Sequence, residues 1–344
     1  MSSNNRVTIR DIAADVGLHF TTVSLALRNS PRLPKETREK VQESAARLGY
    51  RYDPMLTALS AYRRTKTAPR YQATIAWINN WPRKNHLLQI PVFREYWEGA
   101  TARAEECGYV LEEFWLSEPG MTAEKMQRIF RARDIQAVLL APQPHAHYKC
   151  PAFNLSELSV LAMGYSIQPS TLHVITNHHF HTMSLMLSEL VKLGYKRIGV
   201  SVTEDWDSKV DHGWFGGLMW WRAKNPHMHV VPPYLGPSED FDRTVEWLKR
   251  EKPDVVVSFD QTARRLEKAG FRVPENLGFA CLAITCNDEY LSGTYQNDIL
   301  IGRKAVDVLI DMLHRGERGI PDIPVRLLVE SIWKPGKTLR KQDA

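Results

Sequence analysis

From Gln72 onward the chain repeats one rhythm: a short β-branched run, an amphipathic helical stretch, a glycine, and the next run. "ATIAWIN" reads as a strand, "VFREYWEGATARAEECG" as a helix stopped by Gly108, and "YVLEEFWL" as the following strand. A helix around "EKMQRIFRARD" leads into the strand "QAVLLAP". Further on, "HTMSLMLSELVKLG" stops at Gly194 before "RIGVSVT", and "TARRLEKAG" stops at Gly270 before "LGFACLAI". Glycine in these places supplies the left-handed backbone that ends a helix. Alternation of this kind predicts α/β structure with parallel sheets flanked by helices, and roughly 265 residues of it suggest two lobes.

The first 70 residues break the rhythm and carry the charge. They hold 13 Lys/Arg against 6 Asp/Glu, whereas the rest holds 32 against 33, so the net +6 has a single source. A short basic segment is the footprint of a module that touches phosphate backbones, or of a merely solvated basic surface. Three short helices are legible in it. "VTIRDIAADVG" opens with Thr8 as N-cap and Asp11 three residues later, a capping box. Ile9, Ile12, Ala13 and Val16 form its apolar face, and Gly17 is its stop. "GLHFTTVSLALRN" gives a second helix with Val23, Ala26 and Leu27 on one face, leaving Phe20 and Leu25 pointing elsewhere. "PKETREKVQESAARLGY" gives a third, striped by Val41, Ala45 and Leu48. Two helices on a tight glycine turn, covered by a third, make an all-α helix-turn-helix headpiece.

Other classes are disfavoured. At 43% hydrophobic and 24% charged the chain is not biased toward disorder. No apolar run approaches membrane-span length, and "MSSNNRVTIRD" lacks the apolar core of a signal peptide. Cys107, Cys150, Cys281 and Cys286 read as reduced thiols of a cytoplasmic protein. There is no GxGxxG after the first strand, no GxxxxGK[ST] and no GxSxG, so no catalytic residue is assigned. "HAHYKC" (His145, His147, Cys150) and "NHHFH" (His178, His179, His181) lack a partner set, so neither a metal nor another cofactor is expected.

The stretch "VTIRDIAADVGLHFTTVSLALRNSPRLPKETREKVQESAARLGYRYDP" closely resembles the headpiece of LacI/GalR-type transcriptional regulators. The resemblance implies a second helix in the DNA major groove, with base edges read from the positions of Phe20, Thr21 and Leu25. Thr8, Thr22, Ser24, Asn29, Thr37 and Tyr50 match positions that contact or orient the DNA backbone, and His19, Arg28 and Arg32 join that set. Three residues depart from the pattern: Leu25 replaces a usual arginine, His19 a serine cap, and Pro34 a Ser/Thr cap. Leu25 and Phe20 would then meet thymine methyl groups, the alternative being that both pack on neighbouring helices. "DPMLTALSAYRRTKTAPR" matches the family's hinge helix, whose leucine, here Leu59, wedges into the minor groove; a plain linker is the alternative.

Beyond the linker the resemblance covers almost the whole chain and implies a two-lobed, periplasmic-binding-protein-like domain with an effector between the lobes. "DVVVSFDQTARRLEKAGFRVPENLGFACL" matches the segment carrying a ligand-binding aspartate, here Asp260, and "YQNDILIGRKAVDVLIDML" matches the return crossing with Gln296. Lys209 is the cation nearest a usual arginine, and Asn177 stands where an aspartate is usual. "INNWPRK" ends strand one, which places Asn79, Asn80 and Trp81 at the cleft; Trp81 or Trp206 could stack on a sugar face or pack in the core. The expected organisation is a headpiece over 1–53, a hinge and linker over 54–71, and an effector and dimerisation unit over 72–344. The expected protein is a cytoplasmic, homodimeric transcriptional regulator, a repressor in the simplest form. It reads a pseudo-palindromic double-stranded DNA operator under control of a small carbohydrate effector, without membrane contact. A DNA-tethered α/β enzyme acting on a small sugar-like substrate is the alternative.

Overall fold

The computed structural model describes residues 7–27, 29–30, 33–50, 73–151, 154–167, 171–236 and 241–342. Arg28, Arg32, Leu59 and the 54–71 linker therefore lie outside the described residues.

The headpiece has helices α1 (Ile9–Val16), α2 (Phe20–Leu27) and α3 (Lys35–Leu48). The Asp11 carboxylate accepts from both the backbone N–H and the hydroxyl of Thr8 at 2.7 Å, which closes the first turn of α1. Gly17 ends α1 at φ +70°, a left-handed conformation that leaves room for the sharp turn into α2. Ile12, Val16, Val23, Ala26, Val41 and Ala45 form the buried core of this unit. Each comes from the stripe that helical spacing predicts.

The rest of the described chain forms two six-stranded sheets. The first contains β1 (Thr74–Asn79), β2 (Val110–Trp115), β3 (Ala137–Leu140), β4 (Ser159–Met163), β5 (His173–Asn177) and, much later, β11 (Arg326–Val329). The second contains β6 (Arg197–Val200), β7 (His229–Val230), β8 (Val255–Ser258), β9 (Gly278–Ile284), β10 (Gly293–Tyr295) and β12 (Ile332–Lys334). Their orders are β2-β1-β3-β4-β5-β11 and β7-β6-β8-β9-β10-β12, the same winding used twice. All pairings are parallel except β10 with β12, which is antiparallel. Every residue of β1, β3, β4 and β8 is buried, as parallel strands covered on both faces require.

The helices in chain order are α4 (His86–Gln89), α5 (Pro91–Glu106), α6 (Ala123–Ala132), α7 (His179–Lys192), α8 (Glu204–Ser208), α9 (Gly213–Lys224), α10 (Phe241–Glu251), α11 (Asp260–Lys268) and α12 (Asp298–Arg315). Three crossings join the lobes: β5 to α7, β10 to α12, and β11 to β12. The second returns the chain to the first lobe, where α12 packs against α5. That contact depends on two glycines. A Cβ on Gly99 would lie 2.0 Å from the Ile299 carbonyl oxygen, and one on Gly302 would lie 2.1 Å from that of Tyr96.

Candidate DNA-facing surface and effector cleft

On α2 the buried and exposed faces separate cleanly. Val23 and Ala26 are fully buried, whereas Phe20 is 49% and Leu25 36% exposed. Neither belongs to the headpiece core cluster. His19 stands at the N-cap position with its Nδ1 2.8 Å from the Thr21 hydroxyl and 3.5 Å from the Thr21 backbone N–H. The imidazole thus stands in for a serine cap, and its ring lies against Phe20 with centroids 4.4 Å apart. Thr8 and Thr21 are exposed; Thr22, Ser24, Thr37 and Tyr50 are half-buried. Asn29, also half-buried, has φ +52°, and its Oδ1 accepts from Arg38 Nη1 at 2.7 Å, fixing the exit from α2. At Pro34 no side-chain cap precedes α3.

The larger site is a cleft of about 530 Å³ between the two lobes. It opens where β1, β6 and β8 end, the point in each sheet at which the strand order reverses direction and crevices form. Trp81, Lys209, Asp260 and Gln296 all line it. Asp260 is the exposed first residue of α11, where the helix dipole favours a carboxylate. Gln296 is buried on the second crossing and donates Nε2 to the Leu282 carbonyl at 3.1 Å. Trp81 is pinned by its Nε1 donating to Pro142 O and by its own carbonyl accepting from Trp115 Nε1, each at 2.8 Å.

Asn79 is a correction to the expected set. It is fully buried and does not line the cleft. Its Nδ2 donates to Lys84 O and Glu113 Oε1, and its Oδ1 accepts from the Trp81 backbone N–H at 2.9 Å. Strand alternation explains this: the last residue of a buried strand turns inward, and it positions the tryptophan two residues later.

Sequence spacing did not reveal the ring of aromatics around Lys209. Trp206 packs against the cores of both lobes. The Lys209 ammonium lies 4.3 Å from the Trp206 ring centroid and 5.5 Å from those of Trp81 and Phe93. Burial pushes its pKa down to about 8, while Asp205 pulls the other way. Because Trp81, Phe93 and Pro144 belong to the first lobe and Lys209 to the second, this side chain spans the cleft. Trp214, Tyr234 and His179 also face it. His179 is buried edge-on to Trp214, and burial, with His178 adding, holds its imidazole pKa down to about 3.

Asn177 lies at the crossings rather than in the cleft. Its Nδ2 donates to Val329 O at 2.9 Å and to Ser331 Oγ at 2.8 Å, and its Oδ1 accepts from Thr182 Oγ1 at 2.7 Å. Asn297 Nδ2 donates to Glu330 O nearby. An amide can donate here where a carboxylate cannot, so the departure at Asn177 concerns the hinge. Beside it, the rings of His178 and His181 stack 3.7 Å apart, and His181 Nδ1 lies 3.1 Å from Glu330 Oε1. These three residues are the candidate chelating group among the described residues. His178 Nδ1 already accepts from the His181 backbone N–H at 3.3 Å. The arrangement serves to cap α7. Trp221 is core and Trp220 is exposed.

Residues 8–53 match the profile of the bacterial regulatory proteins of the lacI family. The headpiece segment is therefore similar to those of the lacI family. Over 48 residues it is 46% identical to the maltose regulon regulatory protein MalI of Vibrio furnissii, a match covering 14% of this chain and 35% of that relative. The match thus spans about a third of that protein's length. The fold as a whole is shared with solved structures of transcriptional regulators at low identity. A CelR–cellobiose complex aligns over 97% of this chain and 100% of its own, with TM-score 0.58 and 19% identity. A lac repressor dimer bound to operator and the anti-inducer ONPF aligns over 97% and 99%, with TM-score 0.56 and 18% identity. A transcription regulator-like protein from Staphylococcus haemolyticus aligns over 78% and 99%, with TM-score 0.60 and 15% identity. No described helix is long and apolar enough to cross a membrane.

Proposed function

We propose that this chain is a cytoplasmic, homodimeric transcriptional repressor of the lacI type, whose DNA binding is set by a small carbohydrate in the inter-lobe cleft. The observation that carries the reading is the exposed pair Phe20 and Leu25 on α2 of a lacI-type headpiece. With Thr21 they read base edges, the apolar pair meeting thymine methyls. Thr8, His19, Thr22, Ser24, Arg28, Asn29, Arg32, Thr37 and Tyr50 hold the backbone, where hydroxyls and helix N-termini donate to phosphate without reading sequence. The units are 1–53, 54–71 and 72–344, with Leu59 of the middle unit entering the minor groove.

The cleft supports the effector role through aromatic walls with a few placed polar groups: Trp81 and Trp206 for a sugar face, Asp260, Gln296 and Lys209 for its substituents. Closure about the three crossings changes how the lobes of a dimer meet. DNA and effector then bias one equilibrium, which is the content of allosteric control. Selection of bound duplexes from a random pool at about 0.1 M salt tests the reading and should enrich a pseudo-palindrome. Failure to enrich any sequence would overturn it.

A further inference from the structure

Three residues that line the cleft carry a hydrogen-bond donor without an adequate acceptor. Lys209 is only 5% exposed, and its ammonium donates to Pro144 O at a long 3.4 Å. Among the described residues no carboxylate lies within ion-pair distance of it, and Asp205 acts on it only through its charge. Trp214 Nε1 and Tyr234 OH are both buried and have no partner among the described residues. An indole N–H can only donate, and an ammonium offers three protons and no lone pair. Native proteins rarely leave such groups unmatched, because each buried unpaired donor costs free energy and a buried charge costs more. The three rings around the ammonium offset part of that cost, but they cannot accept all of its protons. The rings also line the cleft, so the cation stands where a ligand would stand. The same cleft carries an exposed carboxylate, Asp260, able to accept from hydroxyls.

We propose that the cleft takes an anionic sugar, a polyol bearing a carboxylate or a phosphate, with Lys209 as counter-ion and Trp214 and Tyr234 as further donors to its oxyanion. The proposal rests on the carbohydrate reading of the cleft and narrows it. A neutral sugar would leave the ammonium with only the charge of Asp205 to oppose it as the lobes close over it. An oxyanion supplies several strong acceptors at once and makes charge-assisted hydrogen bonds.

The test is isothermal titration of the full chain with matched probes: glucose, galactose and mannose, their uronic acids, and their 6-phosphates. At least one acidic member should bind about tenfold tighter than its neutral parent, and whether it is the acid or the phosphate identifies the oxyanion. Lys209→Met should erase that preference and Lys209→Arg should keep most of it, each compared at equal ligand-free melting temperature. Trp214→Phe, which removes only the N–H, should weaken the acidic ligand by a smaller factor. If Lys209→Met does not fold, the wild type still decides: raising salt should weaken the acidic ligand and leave its neutral parent unchanged. Equal affinity for neutral and acidic partners, or an acid preference that survives Lys209→Met, would overturn the proposal. Binding of no sugar, neutral or acidic, would overturn the carbohydrate reading itself and this inference with it.

Discussion

The headpiece and the cleft place their functional residues by opposite means. In the headpiece, Phe20, Thr21 and Leu25 are neighbours in sequence and lie together on one short helix. In the cleft, Trp81, Lys209, Asp260 and Gln296 come from four distant segments and two lobes, brought together by sheet winding and chain crossings. A surface built on one helix can be read from helical periodicity. A site built across lobes depends on packing that no local window contains.

That contrast can be broken by salt first. DNA binding through some 6–10 phosphate contacts should fall by about 10³–10⁵-fold between 50 and 200 mM salt. Binding of a neutral sugar in the cleft should hardly change over the same range. Parallel losses at both sites would mean that the two surfaces do not differ in kind.

The hinge gives the next largest effect. Asn177→Asp puts a carboxylate against the Val329 carbonyl in place of a donor. It should cost about 3 kcal/mol of stability in the two-lobed unit. Scanning calorimetry should show that transition shifted down and the headpiece transition unmoved. An unshifted transition would mean that Asn177 does not knot the crossings.

A smaller effect sharpens the headpiece side. Leu25→Arg should move the preferred sequence toward guanine at one operator position, worth about 1–3 kcal/mol of discrimination, with unchanged melting. Lost stability with an unchanged consensus would instead place Leu25 in the core.

A pH dependence tests the cleft wall. His179 titrates near 3 in the folded chain, below the ordinary histidine range, so the unfolded chain binds its proton first. Its contribution is complete above about pH 6.5 and is lost as pH falls toward 3, at up to about 1.4 kcal/mol per pH unit. His179→Gln should flatten the stability profile measured by denaturant titration in that window. An unchanged slope would remove His179 as its source.

Legibility followed the same division. The capping box of Thr8 and Asp11, the stop at Gly17 and the core stripe of the headpiece were predicted from spacing and occur in the structure. So do the helices ending before Gly108, Gly194 and Gly270, because a left-handed stop is a local event. Asn79 was misplaced because its position at a strand end does not say which side the last residue turns toward. The ring of Trp206, Phe93 and Trp81 around Lys209 was missed as a unit because its members are separated by up to 128 positions.

The sequence by itself determined the two kinds of unit, the headpiece helices and the outward direction of Phe20 and Leu25. Periodicity, caps and charge act within a few residues, where the chain has little choice. Only the tertiary structure decided that Lys209 reaches across the cleft and that Asn177 ties the crossings instead of facing a ligand. It also decided that His178, His181 and Glu330 meet. Those facts depend on where separate segments come to rest against one another, and that is set by close packing of the whole core.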